Sequence, residues 1–329
     1  MRVLDKLYID QREDPNATDM GRRFLSRAVN DLFIGNDPAL AAKTVESAAR
    51  FAELGAVPPQ MTMAAVNAAG NAITQRTTIA STRSRIQSVR SDGTVEYAAD
   101  DSHNAWGMKA GNYDIEWNGG LGGIALGADY TLENAIRAGI TFNTGGGYTA
   151  SGGDLADTTN KFNFWGLGSY VGWADRDFGL TADINYTSLF NDVKQEEPSG
   201  LRMQNLKSDI ISHAVSAGLR LEYRIETSAL DIVPHVGIRF MNLATDSYDV
   251  KSGGTVLEGD QINQNIWTFP IGFAFSKNIA TDKDWFLKPI LDLAVIPATG
   301  DIEGKSRTRF TGAGTKAELE NRAMDHVFT

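Results

Sequence analysis

The chain of 329 residues contains no cysteine, which removes a disulfide framework, a thiolate metal site and a cysteine nucleophile together. The same absence suits a protein that crosses an oxidising compartment. Its four histidines, His103, His213, His235 and His326, are scattered and form no HExxH pair. With no carboxylate at ligand spacing beside them, neither a metal nor a cofactor is expected. No run approaches about 18 consecutive apolar residues, so no transmembrane helix is expected; a membrane β-barrel stays open, because its strands alternate and average to modest hydropathy. A cationic excess is also lacking: 31 Lys and Arg stand against 41 Asp and Glu, a net charge of -10. Nucleic acid is therefore not expected as a partner. The start, Met1-Arg2-Val3-Leu4-Asp5-Lys6, has no apolar signal core, so in an exported protein this Met1 would not be the natural beginning.

What is present points to β structure. Apolar residues make up 42% of the chain, and 33 Gly against nine Pro favour strands joined by many turns. The chain divides near residue 90. Before it the period is helical: Phe24, Leu25, Ala28, Val29, Leu32 and Phe33 recur at three and four, with Arg22, Arg23 and Arg27 between them. Asp37 followed by Pro38 reads as an N-cap and first helical position, and Gly55 ends that second helix. A third helix is expected from about Met61 to Arg76, with small side chains from Ala64 to Ile73 and with Asn67 and Asn71 stacked four apart. Such a narrow helix can pass close to surrounding walls while its amides bond a polar lining. An Ala-rich packing helix in a soluble bundle has the same signature.

After residue 104 the period becomes 2. Phe178, Leu180, Ala182, Ile184 and Tyr186 alternate with Gly179, Thr181, Asp183 and Asn185, and Val215, Ala217, Leu219, Leu221, Tyr223 and Ile225 alternate with Ser216, Gly218, Arg220, Glu222, Arg224 and Glu226. Eight such strands are clear, the first at Ile124 to Tyr130 and the last near Leu287 to Val295, and two more are expected at 105–117 and after Ser306. Turn lengths alternate: Leu132-Glu133-Asn134, Ala174 to Asp177 and Glu226-Thr227-Ser228 are tight, while 145–160, 191–211 and 244–263 read as long polar loops. An up-and-down outer-membrane barrel has this alternation, and a Greek-key sandwich has no reason for it. In a barrel, Arg137, Asp183, Arg220, Glu222, Arg224, His235, Arg239, Lys288 and Asp292 would line one polar surface, with the Phe, Trp, Tyr, Leu and Ile face turned to lipid.

Catalytic-looking patterns fail on context. Gly120-Leu-Gly122-Gly-Ile-Ala125 matches a loose dinucleotide fingerprint but runs into a strand instead of opening a helix. Gly300-Asp-Ile-Glu-Gly304-Lys305-Ser306 is one residue short of a P-loop. Ser212 and His213 are strand neighbours and point to opposite faces. His235 beside Asp231 and Arg239 reads as a structural polar network. No catalytic residue is expected.

Asn118-Gly-Gly-Leu-Gly-Gly-Ile-Ala-Leu-Gly-Ala-Asp-Tyr130, Arg137-Ala-Gly139, Phe164-Trp165-Gly166, Ser216-Ala-Gly-Leu-Arg220, Pro234-His-Val-Gly-Ile-Arg239, Trp267-Thr-Phe-Pro270 and Lys288-Pro289 follow one another in order. Over residues 104 to about 311 this series resembles the β-domain of autotransporters, the type V secretion proteins. The resemblance implies an up-and-down antiparallel transmembrane β-barrel in the bacterial outer membrane, a helix in its lumen, and an N-terminal passenger carried to the cell surface. About ten strands of the family's twelve are visible, and the terminal aromatic strand that the barrel-assembly machinery recognises is not, so a C-terminally truncated chain is expected. The division is a helical segment or end of a passenger linker at 1–58, a lumen helix with its linker at 59–90, and the barrel at 91–329. The expected partners are outer-membrane lipid, the barrel-assembly machinery and the chain's own passenger. A stand-alone porin-like channel and an outer-membrane hydrolase are the alternatives. Some autotransporters cleave themselves at an Asn in the lumen. Asn67 or Asn71 with Glu222 or Asp183 would supply such parts, although the family's usual Asn pair is absent.

Overall fold

The computed structural model describes residues 58–59, 61–74, 76–79, 92–100, 106–110, 113–132, 136–152, 158–175, 177–196, 205–277, 279–280, 286–287, 289–311, 317–322 and 327–328. The two helices expected before residue 58 lie outside them. Residues 61–74 form a helix, α1, flanked by helical residues 58–59 and 76–77. Its run of Ala and Met suits a helix, and Thr77 and Thr78 end it: the Thr78 amide closes the last turn on the Thr74 carbonyl at 2.8 Å.

Among the described residues twenty strand segments follow, and their registers group them into ten consecutive staves. The first is β1 (Asp92–Asp100) with β2 (Trp106–Ala110). The next four are single segments: β3 (Tyr113–Thr131), β4 (Ile136–Gly152), β5 (Thr158–Ala174) and β6 (Phe178–Gln195). The sixth joins β7 (Leu206–Tyr223) to β8 (Ile225–Glu226), and the seventh joins β9 (Asp231–Thr245) to β10 (Tyr248–Lys251). The eighth runs through β11 (Thr255–Gly259), β12 (Ile262–Thr268), β13 (Ile271–Ser276) and β14 (Ile279–Ala280). The ninth runs through β15 (Phe286–Leu287), β16 (Ile290–Ile296), β17 (Ala298–Gly300) and β18 (Glu303–Phe310), and the tenth is β19 (Ala317–Arg322) with β20 (Val327–Phe328). Each stave pairs antiparallel with the next, as in Ile136↔Trp173, Phe178↔Tyr223 and Ile271↔Val295. Among the described residues no pairing joins the first stave to the tenth.

Three sequence expectations change. The strand expected at 105–117 is a hairpin between the first two staves, Trp106↔Trp117 to Ala110↔Tyr113. Strand structure begins at Asp92, before the expected change of period at 104, since Asp92–Asp100 pairs along β3 from Asp129 to Leu121. The long loops are mostly ladder: β4 continues to Gly152, β5 begins at Thr158, β6 runs to Gln195, and 244–263 contains the β10–β11 hairpin around Gly253 (φ 73°). These stretches read as loops because their outward side chains are polar. The tight turns close as expected, with bonds from Leu132 to Ile136, Asp175 to Phe178 and Thr227 to Leu230 at 2.7, 2.8 and 3.3 Å.

Along each stave the two faces exchange character. Near the tight turns the outward face is apolar: Ile140 is 66% exposed and Ile184 53%, with Leu167, Val171, Leu219, Leu221, Ile238 and Phe273 similarly placed. Behind them the buried face carries Asp129, Asn143, Asn185, Ser216, Glu222 and His235. In the far half the order reverses. Phe162, Phe164, Leu189, Val193, Leu206 and Ile210 are buried, while Lys161, Lys194, Lys207 and Asp209 point outward. An apolar exterior around a polar interior suits lipid, and a polar exterior around an apolar interior suits water. The change of order therefore marks the level at which the outer face passes from one suited to lipid to one suited to water.

Aromatic residues stand at both limits of the apolar band, with Trp173 against Phe178 (6.0 Å) near the turns and Trp165 against Tyr186 (5.6 Å) at the far side. Eight residues of tilted strand between Trp165 and Trp173 rise roughly 20 Å, close to the ~25 Å band between aromatic girdles of outer-membrane barrels. In the far half, burial pushes the Tyr248 hydroxyl up to about 12.

The glycines of β4 make room for that apolar interior. A Cβ at Gly145 would lie 2.6 Å from the Phe164 ring and 2.3 Å from the Gly122 carbonyl, whereas one at Gly120 would meet nothing within 4 Å. Gly145→Val is expected to lower the urea midpoint of the lipid-embedded chain by the equivalent of ~1–3 kcal/mol. Gly120→Ala should leave the midpoint within about 0.5 kcal/mol. Equal effects would show that the rings do not need the space.

Candidate functional site

The staves curl around α1 and touch it in turn. At its C-terminal end Arg76 donates to both carboxylate oxygens of Asp129 on β3, at 2.6 and 3.0 Å, and Arg137 of β4 donates to the Arg76 carbonyl at 3.4 Å. Tyr170 of β5 completes the cluster by donating to Asp129 at 2.7 Å. On the opposite side Thr78 donates to Glu222 of β7 at 2.8 Å, and the Ile79 amide donates to the same carboxylate at 2.9 Å. Midway, Gly70 lies against the guanidinium of Arg239, where a Cβ would stand 3.1 Å from a terminal nitrogen. Toward the N-terminal end, Met63 and Val66 pack with Ala214, Met241, Leu243 and Ile266, supported by Ala298 and Ile302. The helix therefore runs lengthwise, its first turns in the apolar far half and its last turn among the charges near the tight turns.

All but one of the charged positions expected from the sequence fall among the described residues. Asp183 accepts two bonds from Arg239, both at 2.9 Å, and a third from Asn185 at 2.7 Å. Arg220 lies between two carboxylates, donating to Glu222 at 2.6 Å and to Asp292 at 3.1 Å. Arg224 donates to the Ile79 carbonyl. His235 bonds Asp292 at 2.7 Å, not the Asp231 and Arg239 expected from chain proximity. It reaches the ninth stave across Gly272, where a Cβ would stand 2.8 Å from the imidazole. Lys288 lies outside the described residues. Asn67 is half-buried and Asn71 exposed, and among the described residues neither side chain has a hydrogen-bond partner. A stretch of small Ala and Gly side chains brings the backbone close to the wall, and the bonding falls to Arg76, Thr78 and Ile79.

These three, with Asp129 and Tyr170, are the site residues that sequence reasoning missed. Asp129 stood on the polar face of its strand beside Ala125 and Gly127, which was the available signal. Nothing local marks Ile79.

Among the described residues the catalytic-looking patterns of the sequence are not assembled into a site. Ser212 faces inward to Thr245 at 3.2 Å, whereas His213 faces outward to Tyr186 at 2.8 Å. Gly300 and Lys305 belong to strands, so no phosphate-binding helix follows them. Among the described residues no His, Asp and Glu group could hold a metal ion, and no helix is long and apolar enough to cross a membrane.

No curated protein matches this chain. Among solved structures, the translocator domain of autotransporter NalP from Neisseria meningitidis is 14% identical, with a TM-score of 0.44 over 65% of this chain and 67% of that one. The beta domain of the Bordetella autotransporter Brka is 13% identical, with a TM-score of 0.43 over 64% of this chain and 93% of that one. The family model for the autotransporter beta-domain matches residues 97–326. With that match covering more than half of its length, the chain belongs to the autotransporter beta-domain family, whose members are outer-membrane translocators for a linked passenger.

Proposed function

We propose that this chain sits in the bacterial outer membrane, with lipid on the apolar band, and carries an N-terminal passenger to the cell surface through α1. The division that goes with this reading is passenger linker at 1–58, lumen helix and connection at 59–90, and barrel at 91–329. The observation that carries it is the direction of α1. Its N-terminal turns pack where the staves have left the membrane, its C-terminal turn is bonded beside the tight turns, and the first stave starts at that same end with Asp92↔Asp129. A chain so arranged comes in from outside, passes down the barrel and enters the wall from the end that holds the tight turns. A stand-alone porin would not need the helix, and the bonds that hold α1 favour the translocator. The barrel-assembly machinery is the proposed partner for insertion.

No catalytic step is part of this reading. Asp183 and Glu222, the acids that would assist cleavage at an Asn, are each engaged by an arginine.

Orientation is the test. In intact cells, Lys251→Cys in the far hairpin should react with a membrane-impermeant maleimide, while Asp175→Cys should react only after the outer membrane is opened. The cysteine-free parent gives no background. The reverse pattern would place the tight turns outside and overturn the proposed path of the passenger.

A further inference from the structure

One small region of the inner wall departs from its surroundings. Near the tight turns the inner positions are polar or glycine, as at Thr181, Asp183, Arg220, Glu222, His235 and Gly272, yet Val233 and Ala274 form a buried apolar cluster with Ala174 beside it. The side chain that fills this cluster is Ile79, 2% exposed, just past the end of α1. Gly179 leaves the opening, since a Cβ there would lie 2.8 Å from the Ile79 Cγ2.

The main chain of the same residue is held from both sides by the sixth stave. Glu222 accepts the Ile79 amide at 2.9 Å, and Arg224, two positions along on the same face, donates to the Ile79 carbonyl. Both wall side chains are buried. Thr78 has closed the helix, so the amide and carbonyl of Ile79 have no helical partner, and a carboxylate and a guanidinium take the places of strand neighbours. A backbone-reading pair beside an apolar socket is the chemistry that receives one residue outside regular secondary structure with an aliphatic side chain.

We infer that Gly179, Glu222, Arg224, Val233 and Ala274 form a receptor for Ile79 that acts as a stop, setting how far the linker is drawn into the barrel. This rests on the reading that α1 occupies the lumen. The ligand is a segment of the chain itself. Earlier aliphatic residues such as Val66 and Ile73 lie within α1, where main-chain amides and carbonyls are bonded to one another, whereas Ile79, just past the helix end, offers its amide, its carbonyl and its side chain together, so the linker comes to rest when Ile79 arrives.

The test uses the full chain with Thr77→Cys and Gly172→Cys, because a Cβ at Gly172 would stand 3.9 Å from the Thr77 Cγ2, within disulfide reach. Oxidation should cross-link this parent and the same protein carrying Ile79→Val. Ile79→Ser empties the socket and Gly179→Leu fills it, and either should slow cross-linking about tenfold or more in protein that still migrates as a folded band. Cross-linking of Ile79→Ser and Gly179→Leu at the parental rate would overturn the stop while leaving α1 in the lumen. A folded parent that fails to cross-link would overturn the lumen reading and the stop with it.

Discussion

Replacing Ile140 with lysine is expected to destabilise the lipid-embedded chain by about 2–4 kcal/mol, whereas Asn163→Lys on the adjoining stave should change it by less than about 0.5 kcal/mol. Both positions face outward and both are exposed, so in water the two changes would be alike. The difference lies in the solvent. Ile140 pairs with Ser169, halfway between Trp165 and Trp173, where an ammonium has no water and no partner. Asn163 lies past Trp165, next to Lys161 and among outward polar groups. Urea midpoints in vesicles measure both. If Ile140→Lys cost no more than Asn163→Lys, the apolar band would not be in contact with lipid.

The features legible in the sequence were those carried by neighbours in the chain. Alternation from Phe178 to Tyr186 and from Val215 to Ile225 marked strands, and Leu132-Glu133-Asn134 marked a tight turn, because a strand's faces and a short turn are local properties. The exchange of faces was visible in principle. On β7 the face that carries Lys207 and Asp209 becomes Val215 to Tyr223, but polarity at Lys194 and Lys207 reads as loop. Partnership was not legible. Arg76 meets Asp129 across 53 residues and His235 meets Asp292 across 57, and both contacts depend on the registers of several staves together. The same holds for Asn67 and Asn71: which groups their amides face depends on the rotation of the helix, which no local pattern gives.

Arg239 shows how much such a contact weighs. Replacing it with methionine is expected to cost about 3–5 kcal/mol, among the largest losses a single change can cause here, because Asp183 would keep its charge in a buried place without its cation. The geometry makes the dependence specific. Asp183 is on β6 and Arg239 on β9, with β7 between them, and the guanidinium reaches across at Gly218, where a Cβ would come within 2.6 Å of the carboxylate and 2.7 Å of the guanidinium. Its two terminal nitrogens meet the two carboxylate oxygens, Ser216 accepts a third bond at 3.3 Å, and Gly70 of α1 lies against the same group. Removing both charges should cost much less: in Arg239→Met with Asp183→Leu the desolvation of each ion disappears together with their attraction, so most of the single-mutant loss should be recovered. A double mutant no more stable than Arg239→Met would mean that packing of the arginine against Gly70 and Gly218, rather than the buried charge, holds this part of the wall together.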